Sequence, residues 1–139
     1  MADILTDLYE IVEQRKAERE EGSYTVYLFD AGLDKILKKL GEETSETIIA
    51  AKNLKALDCL GKEAAHENVQ GSAPGNALCN AASSDFCSEE AEKTRAEFVG
   101  EVGDLIYHLV VMLNELGVSP DEVEELLRTR MQKRKNLKK

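Results

Sequence analysis

Two acidic pairs interrupt segments that otherwise have the apolar pattern of buried helices. The first pair is Glu43 and Glu46, and the second is Glu101 and Asp104. Residues three apart lie on the same face of a helix, so each segment presents two carboxylates to one point. Burying a carboxylate that lacks a partner costs several kcal/mol. The pattern therefore favours two core helices that share an all-oxygen site for a hard divalent cation, with Mg²⁺ as the best candidate.

Apolar residues recur at helical spacing along most of the chain, which predicts an all-α fold. The predicted helices cover about residues 3–20, Leu33 to beyond Ala51, about 89–116, and the segment after Pro120, with a further short helical stretch around 54–67. Residues 22–32 alternate as a strand does, but one short strand has no partner, so we expect a connector or a short helical turn there. The chain of 139 residues is predicted to be one domain, a bundle of four to five helices.

The predicted helix at 89–116 is the most apolar of the chain. Its apolar residues from position 98 onward cover more than half of its circumference: Phe98, Val99, Val102, Leu105, Ile106, Leu109, Val110 and Leu113. Three short neighbouring helices cannot cover such a surface, which favours a dimer whose subunits complete one core. Gly117 is a natural stop, and Ser119-Pro120-Asp121-Glu122 has the pattern of a capping box.

The segment at about 53–95 differs in composition from the rest of the chain. Glycine, serine, alanine and asparagine dominate residues 68–88, and no apolar period continues through them. Such a composition buries too little surface to offset the entropy of ordering the backbone. We therefore expect an insertion at about 53–95 whose centre is a protease-sensitive loop outside the helical core.

The net charge of −9 argues against a general nucleic-acid binder, which needs a basic face. Cysteine occurs three times, at Cys59, Cys79 and Cys87, without the close spacing of a metal site, so we expect free thiols in a reducing compartment. No apolar run is long enough to span a membrane, and the first residues do not form a signal peptide. These observations predict a cytoplasmic protein without a membrane partner.

Cationic and aromatic side chains accompany the acids. Lys35, Lys38 and Lys39 precede the first acidic pair by one or two helical turns. Each lysine alone is explained by a solvated surface or by a surface ion pair, but as a group beside a metal site they suit phosphate binding. His108 continues the polar line of Glu101 and Asp104, and a hydrogen-bonded core histidine is the alternative to a functional one.

Three stretches of the sequence resemble the phosphoribosyl-ATP pyrophosphohydrolase family, the second enzyme of histidine biosynthesis. They are Gly22-Ser23-Tyr24-Thr25, the segment LDKILKKLGEETSE from Leu33 to Glu46, and the segment EVGDLIYH from Glu101 to His108. The family is part of the MazG-like all-α nucleotide pyrophosphohydrolases, which share the two acidic motifs. The resemblance covers residues 4–52 and about 96–130. The chain departs from the family in the 54 residues between Glu46 and Glu101, because the family joins these helices by a short connection.

The resemblance implies Mg²⁺-dependent hydrolysis of phosphoribosyl-ATP to phosphoribosyl-AMP and pyrophosphate by a homodimer. The metal ligands would be Glu43, Glu46, Glu101 and Asp104, with Glu42 as a supporting acid or as the base that activates water. The substrate would contact Lys35, Lys38, Lys39, Tyr24 and His108.

Two other functions remain as alternatives. One is a house-cleaning pyrophosphohydrolase that acts on free nucleoside or deoxynucleoside triphosphates, which share the acidic motifs but not the segments at Tyr24 and Lys35. The other is a non-catalytic helical dimerisation module whose acids are merely solvated. The second alternative predicts neither Mg²⁺-dependent hydrolysis nor stabilisation by Mg²⁺ with a nucleotide.

Overall fold

The computed structural model describes the backbone of residues 4–66 and 84–136, and the side chains of residues 4–57 and 89–133. These residues form five helices and no strand, which confirms the all-α class. The helices are α1 (Ile4–Glu18), α2 (Tyr24–Ala31), α3 (Leu33–His66), α4 (Ser84–Glu115) and α5 (Pro120–Asn136). None of the helices in the described ranges is both long and apolar enough to cross a membrane.

Within residues 22–32 the chain forms a two-turn helix, α2, where the sequence predicted a connector or a short helical turn. Its buried residues are Thr25 and Leu28, which are three apart and therefore share a helix face. Gly32 ends α2 at φ 85°, a conformation that only glycine adopts readily, and its N–H bonds to the carbonyls of Leu28 and Phe29. The alternation that resembled a strand is therefore coincidental.

Helix α3 is longer than predicted, because residues 54–66 continue it instead of forming a separate stretch. Gly61 lies within it, and one interior glycine costs only about 1 kcal/mol relative to alanine, which does not end a long helix. Helix α4 begins at Ser84, five residues before the predicted start. The predicted loop at 68–88 falls mainly on residues 67–83, which lie outside the described residues, and the extent of the insertion stays a prediction.

The connection between α4 and α5 is built as the sequence predicted. Gly117 turns the chain at φ 67°, and the Val118 N–H bonds to the carbonyl of Leu113. Ser119 and Glu122 form the capping box: the Ser119 N–H donates to the Glu122 carboxylate at 3.0 Å, and the Glu122 N–H donates to the Ser119 hydroxyl at 3.4 Å.

The chain divides into two compact units, Met1–Glu42 with Asp104–Lys139, and Glu43–Gly103. The first unit contains the buried apolar cluster, which consists of Val12, Leu28, Ile36, Val110 and Val111. Around it α1 packs against α2 and α5. Lys16 of α1 adds an ion pair to Glu115 at 3.1 Å, with its ammonium 4.2 Å from the centre of the Phe29 ring.

We expect Leu28→Ala to lower the free energy of unfolding by about 2–5 kcal/mol, because Leu28 is fully buried and the truncation leaves a cavity. The matched control is Ile4→Ala, since Ile4 is largely exposed and its truncation removes little packing. Chemical denaturation of both variants measures the difference. Equal stabilities of the two variants would contradict this description of the core.

Candidate active site

In the second unit, α3 and α4 bring two carboxylates close together. Glu43 of α3 is buried, with 6% of its surface exposed, and Glu101 of α4 is half-buried. A carboxylate oxygen of Glu43 lies within 4.8 Å of one from Glu101. Two negative charges at this separation repel each other, and a cation between them relieves the repulsion. Carboxylate oxygens are also the donors that Mg²⁺ and Ca²⁺ prefer, so the donor set fits a hard divalent cation.

Thr47 joins the backbones that carry these two acids. Its hydroxyl lies 2.8 Å from the carbonyl of Glu43, one turn earlier on α3, and 3.2 Å from the carbonyl of Glu101 on α4. A hydroxyl has a single hydrogen, which the two carbonyls share. Thr47 therefore fixes where Glu101 lies relative to Glu43. No sequence pattern indicated this role of Thr47.

The second member of each acidic pair is more exposed than the first. Glu46 follows Glu43 by three residues on α3, and Asp104 follows Glu101 by three residues on α4. Both side chains are exposed. Helix geometry places each on the same face as its partner, as the spacing predicted. Glu46 does not belong to the group of acids whose oxygens lie within 4.8 Å of one another, so its part in a metal site stays a prediction.

In the first unit, Glu42 organises two of the three lysines. Its carboxylate lies 3.0 Å from the Lys39 ammonium and 3.8 Å from the Lys38 ammonium. The hydrogen bond from Lys39 lowers the pKa of Glu42, and the charges of Lys39, Lys38 and Lys35 lower it further against a smaller opposing effect of desolvation. A lowered pKa makes Glu42 a weak base near neutral pH. Which of its two predicted roles Glu42 has stays a prediction.

Tyr24 and His108 form a hydrogen-bonded chain in the first unit. The Nδ1 atom of His108 lies 2.8 Å from the carbonyl of Asp104, and the Nε2 atom lies 3.0 Å from the Tyr24 hydroxyl. A carbonyl only accepts, so Nδ1 carries the proton, and in a neutral imidazole Nε2 then accepts the hydrogen of Tyr24. His108 is 4% exposed, whereas Tyr24 is 45% exposed. Tyr24 is thus the accessible member, and His108 fixes its hydroxyl.

A second hydrogen bond lies next to the one between Tyr24 and His108. The hydroxyls of Thr25 and Tyr107 lie 2.7 Å apart, and Thr25 is fully buried. The Tyr107 ring stacks on Tyr24 with centroids 6.4 Å apart and meets the His108 ring edge to face at 5.1 Å. Thr25 and Tyr107 therefore hold the ring of Tyr24 in place. In the sequence, Thr25 follows Tyr24 and Tyr107 precedes His108. This adjacency was the only sequence indication of their role, and it does not reveal that the two hydroxyls form a hydrogen bond.

The chain is similar to known proteins over almost its whole length. Residues 5–131 match the family described as phosphoribosyl-ATP pyrophosphohydrolase. A phosphoribosyl-ATP pyrophosphatase from Streptococcus thermophilus is 40% identical over 134 residues, which cover 96% of this chain and 91% of the relative. The protein of the same name from Pelotomaculum thermopropionicum is 38% identical over 132 residues, with 95% of each chain covered. One from Streptococcus sanguinis is 39% identical over 134 residues, or 96% of this chain and 91% of the relative.

We expect Thr47→Val to lower the free energy of unfolding by about 0.5–1.5 kcal/mol, because it removes one shared hydrogen bond while keeping the volume of the side chain. Thr47→Ser keeps the hydroxyl and serves as the matched control for the hydrogen bond. Urea denaturation of the three proteins measures the effect. If Thr47→Val were as stable as the wild type, the hydroxyl would not join α3 to α4.

Proposed function

Because the chain belongs to the phosphoribosyl-ATP pyrophosphohydrolase family, we propose that it hydrolyses phosphoribosyl-ATP to phosphoribosyl-AMP and pyrophosphate, a step of histidine biosynthesis. Water attacks within the α–β phosphoanhydride, and pyrophosphate leaves. One structural observation supports this proposal in addition to the family similarity: Glu43 is buried, and the Glu101 carboxylate lies close to it. An acid in this environment is typical of a cation-binding site and is poorly explained by a solvated helix surface.

The cation that this donor set suits best is Mg²⁺, which Glu43, Glu46, Glu101 and Asp104 would hold, as the sequence predicts. When bound, Mg²⁺ neutralises phosphate oxygens and lowers the pKa of a coordinated water. The protein's contribution is to hold the carboxylates in position, and Thr47 serves this purpose for the backbones of Glu43 and Glu101. No covalent intermediate with the protein is needed, because positioning and charge neutralisation supply the catalysis.

Lys35, Lys38 and Lys39 supply the positive charge for the phosphates of the substrate. All three belong to the first turns of α3, in the first unit. Glu42 restrains the ammonium groups of Lys38 and Lys39, so less side-chain entropy is lost when phosphate binds. Tyr24 is about half exposed and its hydroxyl is held by His108, which suits a contact to the sugar of the substrate.

The protein is also proposed to act as a homodimer in the cytoplasm. Large apolar side chains of the second unit are exposed in the single chain, among them Ile48, Ile49 and Val99. A second copy that covers these residues would remove them from water. The cytoplasmic location rests on the sequence, because three cysteines without metal-site spacing suit a reducing compartment.

The direct test is incubation of the purified protein with phosphoribosyl-ATP and Mg²⁺, followed by measurement of released pyrophosphate. A parallel panel contains ATP and the deoxynucleoside triphosphates. Preferred hydrolysis of phosphoribosyl-ATP supports the proposal. Faster hydrolysis of the deoxynucleoside triphosphates would favour the house-cleaning alternative, and no hydrolysis with any substrate would favour a dimerisation module.

We expect replacement of each acid by its amide to lower turnover by about a hundredfold or more, the order found when one charge-stabilising group is removed. The variants are Glu43→Gln, Glu46→Gln, Glu101→Gln and Asp104→Asn. Glu125→Gln is the matched control, because Glu125 is an exposed glutamate of α5. Steady-state pyrophosphate release at saturating Mg²⁺ is the measurement. Near wild-type turnover in two or more of the four variants would refute the assignment.

Light scattering is expected to give about twice the chain mass of 15.4 kDa. Val99→Glu is expected to shift the protein towards the monomer, because it places a charge on the exposed apolar surface. Glu97→Gln, at an exposed neighbouring position, is expected to leave the dimer intact. A monodisperse wild-type monomer at micromolar concentration would exclude the dimer.

A further inference from the structure

Apart from Tyr24, the residues that line a cavity in the first unit have no assigned role. The cavity has a volume of about 640 Å³ and is open to solvent at the turn between α1 and α2. Typical ligand pockets have volumes of roughly 300–1,000 Å³, so the cavity is large enough for a nucleoside. Its lining combines two aromatic residues, Tyr24 and Tyr27, with charged residues of the turn and of α2.

The two tyrosines offer ring surface to a planar ligand. Tyr24 is 45% exposed and Tyr27 is 50% exposed. Their ring centroids lie 6.1 Å apart with 31° between the ring planes, so the two rings are only moderately tilted. Half-exposed aromatic rings beside a cavity suit a purine, which contributes apolar area and a second π-system.

The charged residues around the cavity favour a purine that carries a positive charge. Three acids line it, Glu20, Glu21 and Asp30, together with a single base, Arg19. Arg19 already pairs with Asp30 at 2.6 Å, which leaves the charges of Glu20 and Glu21. This excess of negative charge repels phosphate and attracts a cation.

The ring of Tyr27 already lies near one cation of the protein itself. The ammonium of Lys35 lies 5.8 Å from its centroid, within the range of a cation–π contact. A lysine next to the aromatic wall also provides a place for phosphate outside the acidic lining. A ligand with a cationic ring and a phosphate tail therefore matches the charge pattern in the cavity and beside it.

We propose that this cavity binds the purine of the substrate as a cation and thereby distinguishes phosphoribosyl-ATP from ATP, an inference that rests on the proposed function. In phosphoribosyl-ATP the N1 atom of adenine carries a ribosyl group, and an adenine alkylated at N1 is positively charged at neutral pH. The adenine of ATP is neutral. Tyr27 and the acids of the turn stabilise the positive ring, whereas neutral adenine gains only the stacking contact.

The test compares two small ligands, 1-methyladenosine 5′-monophosphate and AMP. They differ only in the N1-methyl group and the positive charge that it gives to the adenine ring. Calorimetric titration of the full chain gives both dissociation constants without any hydrolysis. The wild type is expected to bind the N1-methylated nucleotide roughly two- to fivefold more tightly, the effect of a cation–π contact at a partly exposed site. Equal affinities, or tighter binding of AMP, would overturn the proposal.

Variants show whether the cavity is the source of the preference. Glu20→Gln with Glu21→Gln is expected to bring the ratio of the two affinities close to one. Glu10→Gln with Glu13→Gln changes the net charge equally at exposed positions of α1 that do not line the cavity, and is expected to leave the ratio unchanged. Tyr27→Leu is expected to lower the ratio and Tyr27→Phe to preserve it. An equal loss in the control pair, or an unchanged ratio in Tyr27→Leu, would overturn the proposal.

The hydrolysis assay separates this inference from the proposed function. Release of pyrophosphate from phosphoribosyl-ATP by a protein without the binding preference would keep the function and overturn the cation-selective cavity. A preserved preference without hydrolysis would support the cavity and overturn the function.

Discussion

The burial of Glu43 beside the Glu101 carboxylate is the constraint on which the rest of the site depends. Carboxylates are almost never buried without compensation, and two of them at short range disfavour each other's charge. The helices must therefore hold these acids together by other means. The shared hydrogen bond of Thr47 does so. A protein that only needed a helical core would place apolar residues here.

The two units carry complementary chemistry. The second unit supplies the buried acid pair, which suits a metal ion, whereas the first supplies lysines, tyrosines and a fixed histidine, which suit an organic phosphate. In the first unit, the side chains proposed to contact the substrate are restrained by specific partners: Glu42 holds Lys39, and His108 holds the hydroxyl of Tyr24. Restraint of this kind reduces the entropy lost when a charged, flexible substrate binds.

Much of this arrangement could be predicted from the sequence because it depends on local rules. Helical spacing revealed the acidic pairs, and the pattern from Ser119 to Glu122 revealed a capping box that the structure confirms. The period of a short segment was ambiguous, because the alternation from Tyr24 to Leu28 fits a strand as well as a helix, so the sequence predicted only a connector or a short helical turn where α2 forms. Contacts between distant segments, such as Thr25 with Tyr107 over 82 positions, leave no local trace.

The most direct test of the central claim is the thermal stability of the wild type and of Glu43→Gln during titration with Mg²⁺ in the absence of substrate. A ligand that binds only the folded state raises the melting temperature as its concentration increases. If the acids around Glu43 hold Mg²⁺, the wild type will be stabilised progressively, and Glu43→Gln will respond much less at the same concentrations. An unresponsive wild type, or an equal response in the variant, would contradict the claim.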